Sequence, residues 1–146
     1  MNVDNYIPNI RRILIPMRTE IREKTDNYCV YITDDGTEFY SRYTAILHEA
    51  KEMKRLHPRE IKSTGILTPD DQYINLYKIE SLEDWNYLYK VAWEQNAYGN
   101  YLGPSWYGAI RHDGGDYQDE YEIIHIPNYI KQQENFLNEI KDLTSE

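Results

Sequence analysis

The densest concentration of reactive groups in this 146-residue chain is Asp113-Gly114-Gly115-Asp116-Tyr117-Gln118-Asp119-Glu120, four acids within eight positions. Carboxylates on a flexible turn can ligate a hard cation such as calcium, but the alternate-position spacing of an EF-hand loop is not met. The glycines are expected to make a hairpin turn, with the acids solvated or offered to a basic partner. Ten aromatics lie between Trp85 and Tyr121: Trp85, Tyr87, Tyr89, Trp93, Tyr98, Tyr101, Trp106, Tyr107, Tyr117 and Tyr121. Trp85 and Tyr89 read as core. Tyr98, Tyr101 and Tyr117 fall in expected loops or turns, where tyrosine serves as a binding anchor with few torsions to freeze. The candidate binding set is therefore Tyr98, Tyr101, Trp106, Tyr107, Arg111, His112, Asp113, Asp116, Tyr117, Asp119 and Glu120. No catalytic set, metal site or cofactor is expected.

Other chemistries fail on spacing. His48-Glu49 resembles the start of a zinc-protease helix, but the second histidine that must follow four residues after the first is replaced by Glu52. That segment reads as a half-exposed helix face with Glu49 and Glu52 in water. Cys29 lies in an apolar run and reads as a small core residue. Ser105 has no G-x-S-x-G context, and Gly99, Gly103 and Gly108 are too widely spaced to cradle a phosphate. His112 and His125 are placed to face each other across the last hairpin, without a third ligand.

The elements that must position these residues follow from periodicity. Residues 10 to 23 fit both a helical stripe and a strand, and Pro16 favours the strand. Tyr28 to Thr33 and Glu38 to Tyr40 read as strands around the Asp34-Asp35-Gly36 turn. Ser41 is an N-cap for a helix carrying Tyr43, Ile46, Leu47, Ala50 and Met53, stopped by Pro58. Residues 59 to 72 read as a loop and Tyr73 to Ile79 as a strand. Ser81-Leu82-Glu83-Asp84 opens a helix with Trp85, Leu88, Tyr89 and Ala92 on one face. Asn96 to Pro104 reads as a loop, then Trp106 to His112 and Tyr121 to Ile126 as strands. Pro127 starts a last helix, with Tyr129, Ile130, Phe136, Leu137, Ile140 and Leu143 expected to face inward. The fold class is α+β, in the order β-β-β-α-β-α-β-β-α. It is expected to hold a mainly antiparallel sheet of four to six strands, with three helices on one face. The expected core is Ile46, Leu47, Leu76, Trp85, Leu88, Phe136, Leu137 and Ile140.

Composition sets the frame. The length suits one domain, residues 1 to 146. Sixteen Lys and Arg stand against 25 Asp and Glu, a net charge of -9, which argues against direct nucleic-acid binding. The charge is uneven: residues 1 to 65 hold 11 basic and 10 acidic residues, whereas residues 66 to 146 hold 5 and 15. No run of 18 apolar residues is present, so no membrane span is expected. The start of the chain lacks the layout of a secretory signal, and the single cysteine fits a reducing cytoplasm. An aromatic cluster this rich tends to be covered by a partner or a second copy, so at least a dimer is expected.

The segments YITDDGTEFYSRYTAILHEAKEM (Tyr31 to Met53), YINLYKIESLEDWNYL and GPSWYGAIRHDGGDYQDEYEI together resemble small accessory proteins of phages and prophages. The resemblance rests on a strand, a D-G turn, an acidic helix, an acid-capped helix and an aromatic hairpin. It implies a counter-defence factor in the host cytoplasm that binds rather than catalyses. One form is a stoichiometric inhibitor that covers a basic surface of a host immune effector. Another is a sponge that sequesters a nucleotide signal, with local positive charge supplied by Arg111 or by the arginines of the first half. Apart from the resemblance, the small size and acidic charge also fit an immunity protein neutralising a toxin.

Overall fold

The computed structural model describes residues 17–22 and 28–145. Two sheets and three helices make up the described residues. The first sheet joins β1 (Arg18–Arg22), β2 (Tyr28–Ile32) and β3 (Glu38–Phe39), all antiparallel, with Arg18 opposite Ile32 and Tyr31 opposite Phe39. Of the strand expected over residues 10 to 23, only its C-terminal part is seen, as β1; Pro16 lies outside the described residues. The turn between β2 and β3 is closed by its own acid. The Asp35 carboxylate accepts from the Thr33 hydroxyl (2.5 Å) and the Thr37 N–H (3.1 Å), while Gly36 supplies the positive φ of 85°.

Helix α1 (Arg42–Leu56) starts where Ser41 accepts from the Thr44 N–H at 3.4 Å, and its C-cap is His57, directly before Pro58. It buries Ala45 and Ile46 and packs against β2 and β3 on one side and helix α2 on the other. Helix α2 (Leu82–Val91) is capped by Ser81, which accepts from the Asp84 N–H at 3.1 Å. Asp84 in turn accepts from the Glu80 N–H and pairs with Arg59 at 2.6 Å, so this acid is a structural clasp.

The second sheet has the order β4-β5-β7-β8-β6, from β4 (Ser63–Leu67), β5 (Tyr73–Ile79), β6 (Ala97–Tyr98), β7 (Ser105–His112) and β8 (Glu120–His125). All its pairs are antiparallel except β6 with β8. One face of it and α2 enclose the main core: Ile79, Trp85, Leu88, Tyr89, Trp93, Ala97, Tyr107, Ala109 and Ile123. Trp85 meets Trp93 and Tyr107 edge-on, with centroids 5.2 and 5.1 Å apart, the favoured aromatic geometry. Gly108 faces the other way, between Ile74, Ile124 and Ile126 of helix α3 (Ile126–Thr144), in a gap where a Cβ would collide.

The α+β class and the expected element order are present, with two additions. β4 replaces part of the loop expected over 59 to 72, and β6 part of that expected over 96 to 104. All five residues of β4 are exposed, so no alternation marks it, and β6 is too short to carry a pattern. The helices do not share one face: α2 covers one side of the second sheet, and the first turn of α3 meets the other. Ile46, Trp85 and Leu88 are buried and Leu76 half-buried, but Leu47, Phe136, Leu137 and Ile140 are exposed. Every residue of α3 from Ile130 onward is exposed, because the helix leaves the sheet after its first turn.

Candidate functional site

The acidic hairpin is built by two of its own carboxylates. The Asp113 carboxylate accepts from the Gly115 N–H at 2.8 Å, and the Asp119 carboxylate accepts from the Gly114 N–H at 3.1 Å. Gly115 takes a positive φ of 65°, and the Tyr117 N–H donates to the Gly114 carbonyl. Asp119 also sits 3.6 Å from the Arg111 guanidinium and accepts from Asn96 through its carbonyl. Two of the four acids therefore hold the turn, leaving the exposed Asp116 and Glu120 as the carboxylates it displays.

The turn leans on two other elements. Gln118 donates to the Glu94 carbonyl at 2.6 Å, and the Tyr43 hydroxyl of α1 donates to the Glu94 carboxylate at 2.9 Å. Glu94 and Gln95 both adopt positive φ just after α2, a strained bend that delivers Glu94 to this position. Tyr43, Gly115, Asp116, Tyr117, Gln118 and Asp119 enclose a hollow of about 370 Å³. Tyr117 stands over it 85% exposed, an aromatic ring the fold has not used. Hydrogen bonding, burial and nearby carboxylates raise the phenols. The hydrogen bond to Glu94 pushes Tyr43 up, and burial, then Glu94 and Asp119, push Tyr121 up to about 12.

The expected binding residues divide into three groups. Tyr107 is buried in the core, with its hydroxyl accepting from the Leu102 N–H and donating to the Gly103 carbonyl, so it is a loop fastener and not an anchor. Tyr101 stacks on Tyr107 and packs on Trp85, Tyr98 is half-buried in β6, and Trp106 is half-buried opposite Lys78 in the sheet. Arg111, His112, Asp113, Asp116, Tyr117, Asp119 and Glu120 do gather at one end of the β7–β8 hairpin. The expected pairing of His112 with His125 does not form, because His112 lies opposite Glu120 and His125 opposite Tyr107, at the two ends of the ladder. His112 instead contacts Glu122 at 3.0 Å. Cys29 is exposed on β2, not in the core.

One polar cluster was not legible as a site. Glu49, expected in water, is only 6% exposed, and its Oε2 accepts from Lys90 Nζ at 3.4 Å. Burial raises the Glu49 carboxyl above its usual range, against the opposing pull of Lys90. Lys90 on α2 is itself buried, with Asp34 3.9 Å away. His48 Nε2 lies 2.7 Å from Asp35, whose carboxyl is held well below the usual range by the Thr33 hydroxyl first and His48 second. A His-Glu step on a helix and a lysine 41 positions later have no sequence relation that announces contact. Among the described residues, no group of three or more His, Cys, Asp or Glu side chains is gathered as metal ligands would be. No described helix is long and apolar enough to cross a membrane.

Comparison with protein-family models, with curated proteins and with solved structures gives no match.

Proposed function

We propose that this protein acts by binding and not by catalysis, as a phage-encoded counter-defence protein in the host cytoplasm. In this reading it is a stoichiometric inhibitor of a host immune effector. The observation that carries the binding surface is the displayed tip of the β7–β8 hairpin. Tyr117 is free of the core, next to the exposed Asp116 and three residues before the exposed Glu120, over a hollow walled by Tyr43 and Asp119. Exposed tyrosine beside exposed carboxylate suits a basic protein surface: the charges speed encounter and the ring slows release. The counter-defence setting rests on the resemblance to phage accessory proteins. An immunity protein facing a basic toxin would use the same surface chemistry.

The test follows from the division of labour within the turn. Asp116→Asn with Glu120→Gln should lower the on-rate for the partner captured from host lysate and flatten its salt dependence, with the turn intact. Tyr117→Ala should raise the off-rate by an amount on the order of 1 to 3 kcal/mol, as interface anchors do. If neither change alters binding, the hairpin tip is not the surface used. A co-purifying nucleotide whose retention is abolished by Arg111→Ala would replace the inhibitor with the sponge. The 3.6 Å approach of Arg111 to Asp119 weighs against that outcome, since a carboxylate already stands beside the guanidinium.

The reading includes self-association through α3. Tyr129, Gln133, Phe136, Ile140 and Leu143 recur at alternating spacings of four and three, the seam of a helix paired with a helix. With every residue from Ile130 onward exposed, propensity alone supports this helix weakly. A second copy supplies the same seam about a two-fold axis.

A further inference from the structure

The two sheets present four strand edges among the described residues, and three of them are blunted. β3 and β6 are two residues long, and β1 carries Arg18, Glu20 and Arg22 among its five residues. Shortness and charge are the usual means by which an edge is kept from pairing further. The fourth edge is β4, Ser63-Thr64-Gly65-Ile66-Leu67. It has five residues, all exposed, with no charge, no proline and no bulge against β5. Its backbone is half used. The Lys78 N–H donates to the Lys62 carbonyl at 2.9 Å, and the Thr68 N–H to the Gln72 carbonyl at 2.8 Å. In the register of the ladder, these bonds turn the backbone groups of Thr64 and Ile66 toward β5. The N–H and C=O groups of Ser63, Gly65 and Leu67 therefore point away from the sheet, and no described residue bonds to them. The same edge displays apolar area, with Ile66 50%, Leu67 61% and Tyr73 57% exposed.

We propose that this edge takes a second copy of itself, β4 against β4, antiparallel about a two-fold axis at Gly65. That register sets Ser63 against Leu67 of the second copy, Gly65 against Gly65, and Leu67 against Ser63, so every outward donor meets an outward acceptor. Glycine suits the axis. A Cβ at Gly65 would collide with the Tyr73 hydroxyl, so the Tyr73 ring already fills the space beside it. Two glycines at the axis leave room for a ring from each copy. Charge selects the occupant. The chain carries a net charge of -9, yet β4 is neutral, and Lys62 is brought to Thr68 of the second copy, where the Asp70-Asp71 turn begins. Two copies therefore pair here without like charges opposed along the strands, whereas an uncharged strand offers nothing to steer a charged partner. A contact of five residues a side falls well short of the roughly 1,200 Å² of a stable complex, so the expected Kd is about 1 mM. Such pairing does not register at the tens of micromolar where α3 sets the mass. It uses no residue of α3 or of the hairpin tip, and so stands apart from the inhibitor reading.

Amide chemical shifts of the full chain, followed from about 20 μM to about 2 mM, read this pairing residue by residue. Ser63, Gly65 and Leu67 should move together on one isotherm with a Kd of about 1 mM, and Thr64 and Ile66, already bonded to β5, should move much less. Pairing through α3 shifts α3 amides on its own isotherm, so either contact can fail without the other. Leu67→Pro removes an outward donor while sparing every bond to β5, and should weaken the β4 isotherm at least about tenfold. Should that variant fail to fold, Ile66→Lys, which charges the edge and leaves its backbone intact, should do the same. Cross-linking reads the register. Thr64 falls opposite Ile66 of the second copy as a pair without mutual hydrogen bonds, the closer kind. With Cys29→Ser in both, a mixture of Thr64→Cys and Ile66→Cys chains should form the mixed disulfide about tenfold faster than either chain forms its own. Flat shifts at Ser63, Gly65 and Leu67 up to about 2 mM overturn the proposal, as does an unchanged isotherm in either folded variant or mixed cross-linking no faster than self cross-linking. Amides that stay flat on concentration but move with an unrelated strand-forming peptide would give the edge to another protein's strand and overturn the second copy.

Discussion

At the scale of single residues, Asp35 and Glu49 both line the cavity between the β2–β3 turn, α1 and α2 and titrate in opposite senses. Asp35 is depressed by the hydroxyl, imidazole and N–H that hold its ionised form. Its contribution to stability is therefore present above the ordinary Asp value of about 3.9 and is lost as pH falls toward its depressed value. Glu49 is raised by burial. The folded state holds its proton more tightly than the unfolded chain does, so its contribution is fullest below the ordinary Glu value of about 4.3 and declines as pH rises through the raised one. Denaturant unfolding across a pH series should show both limbs. Asp35→Asn should remove part of the acid-side loss, and Glu49→Gln part of the loss on the rising side. A Glu49→Gln protein less stable than wild type at neutral pH would show instead that the ionised pair with Lys90 is net stabilising. None of this was visible in the sequence, because burial of Glu49 is decided by how α2 docks on α1 and not by the spacing within α1.

Elements were legible in proportion to how strongly one face of each is buried. α2 announced itself through Ser81 and the stripe of Trp85, Leu88 and Tyr89, all three now in the core. Leu88→Ala should accordingly cost about 2 to 5 kcal/mol, the range for deleting a buried leucine side chain, read by chemical denaturation. A loss below about half a kcal/mol would contradict the observed packing, since surface substitutions are that mild. β4 and β6 were illegible for the converse reason. Ser63-Thr64-Gly65-Ile66-Leu67 has no buried face, and Ala97-Tyr98 pairs with β8 only because the bend at Glu94 and Gln95 brings it there. In α3 the periodicity was real, but its inference was not: amphipathy shows that a face wants covering, not that this chain covers it. The site divides in the same way. The acid-and-glycine pattern located the hairpin, whereas the turn bonds that occupy Asp113 and Asp119, and the burial of Tyr107, depend on backbone geometry no pattern carries.

For the molecule as a whole, the acidic second half forms α2, α3 and the larger sheet apart from the start of β4, and the near-neutral first half contributes the smaller sheet, α1 and Ser63 to Gly65 of β4. Self-association is the property that belongs to this scale. Sedimentation at tens of micromolar should give a mass above the 17.5 kDa of one chain. Phe136→Asp with Ile140→Asp should return it to that value while the unfolding transition of the α2 core persists. A wild-type mass of one chain would remove α3 pairing from the proposed function and leave the hairpin surface unaffected.

The exposed Cys29 bears on how that measurement is made. It is the only thiol in the chain, and it stands on the smaller sheet, away from the strands that carry the hairpin tip. Air oxidation can join two molecules through it at a place unrelated to α3, and a covalent pair of that kind would imitate the expected assembly on a non-reducing gel. The same isolation makes it a single attachment point for a maleimide dye. Fluorescence anisotropy of the labelled, reduced protein could then follow assembly, or partner capture, without any group being added to the surface under test.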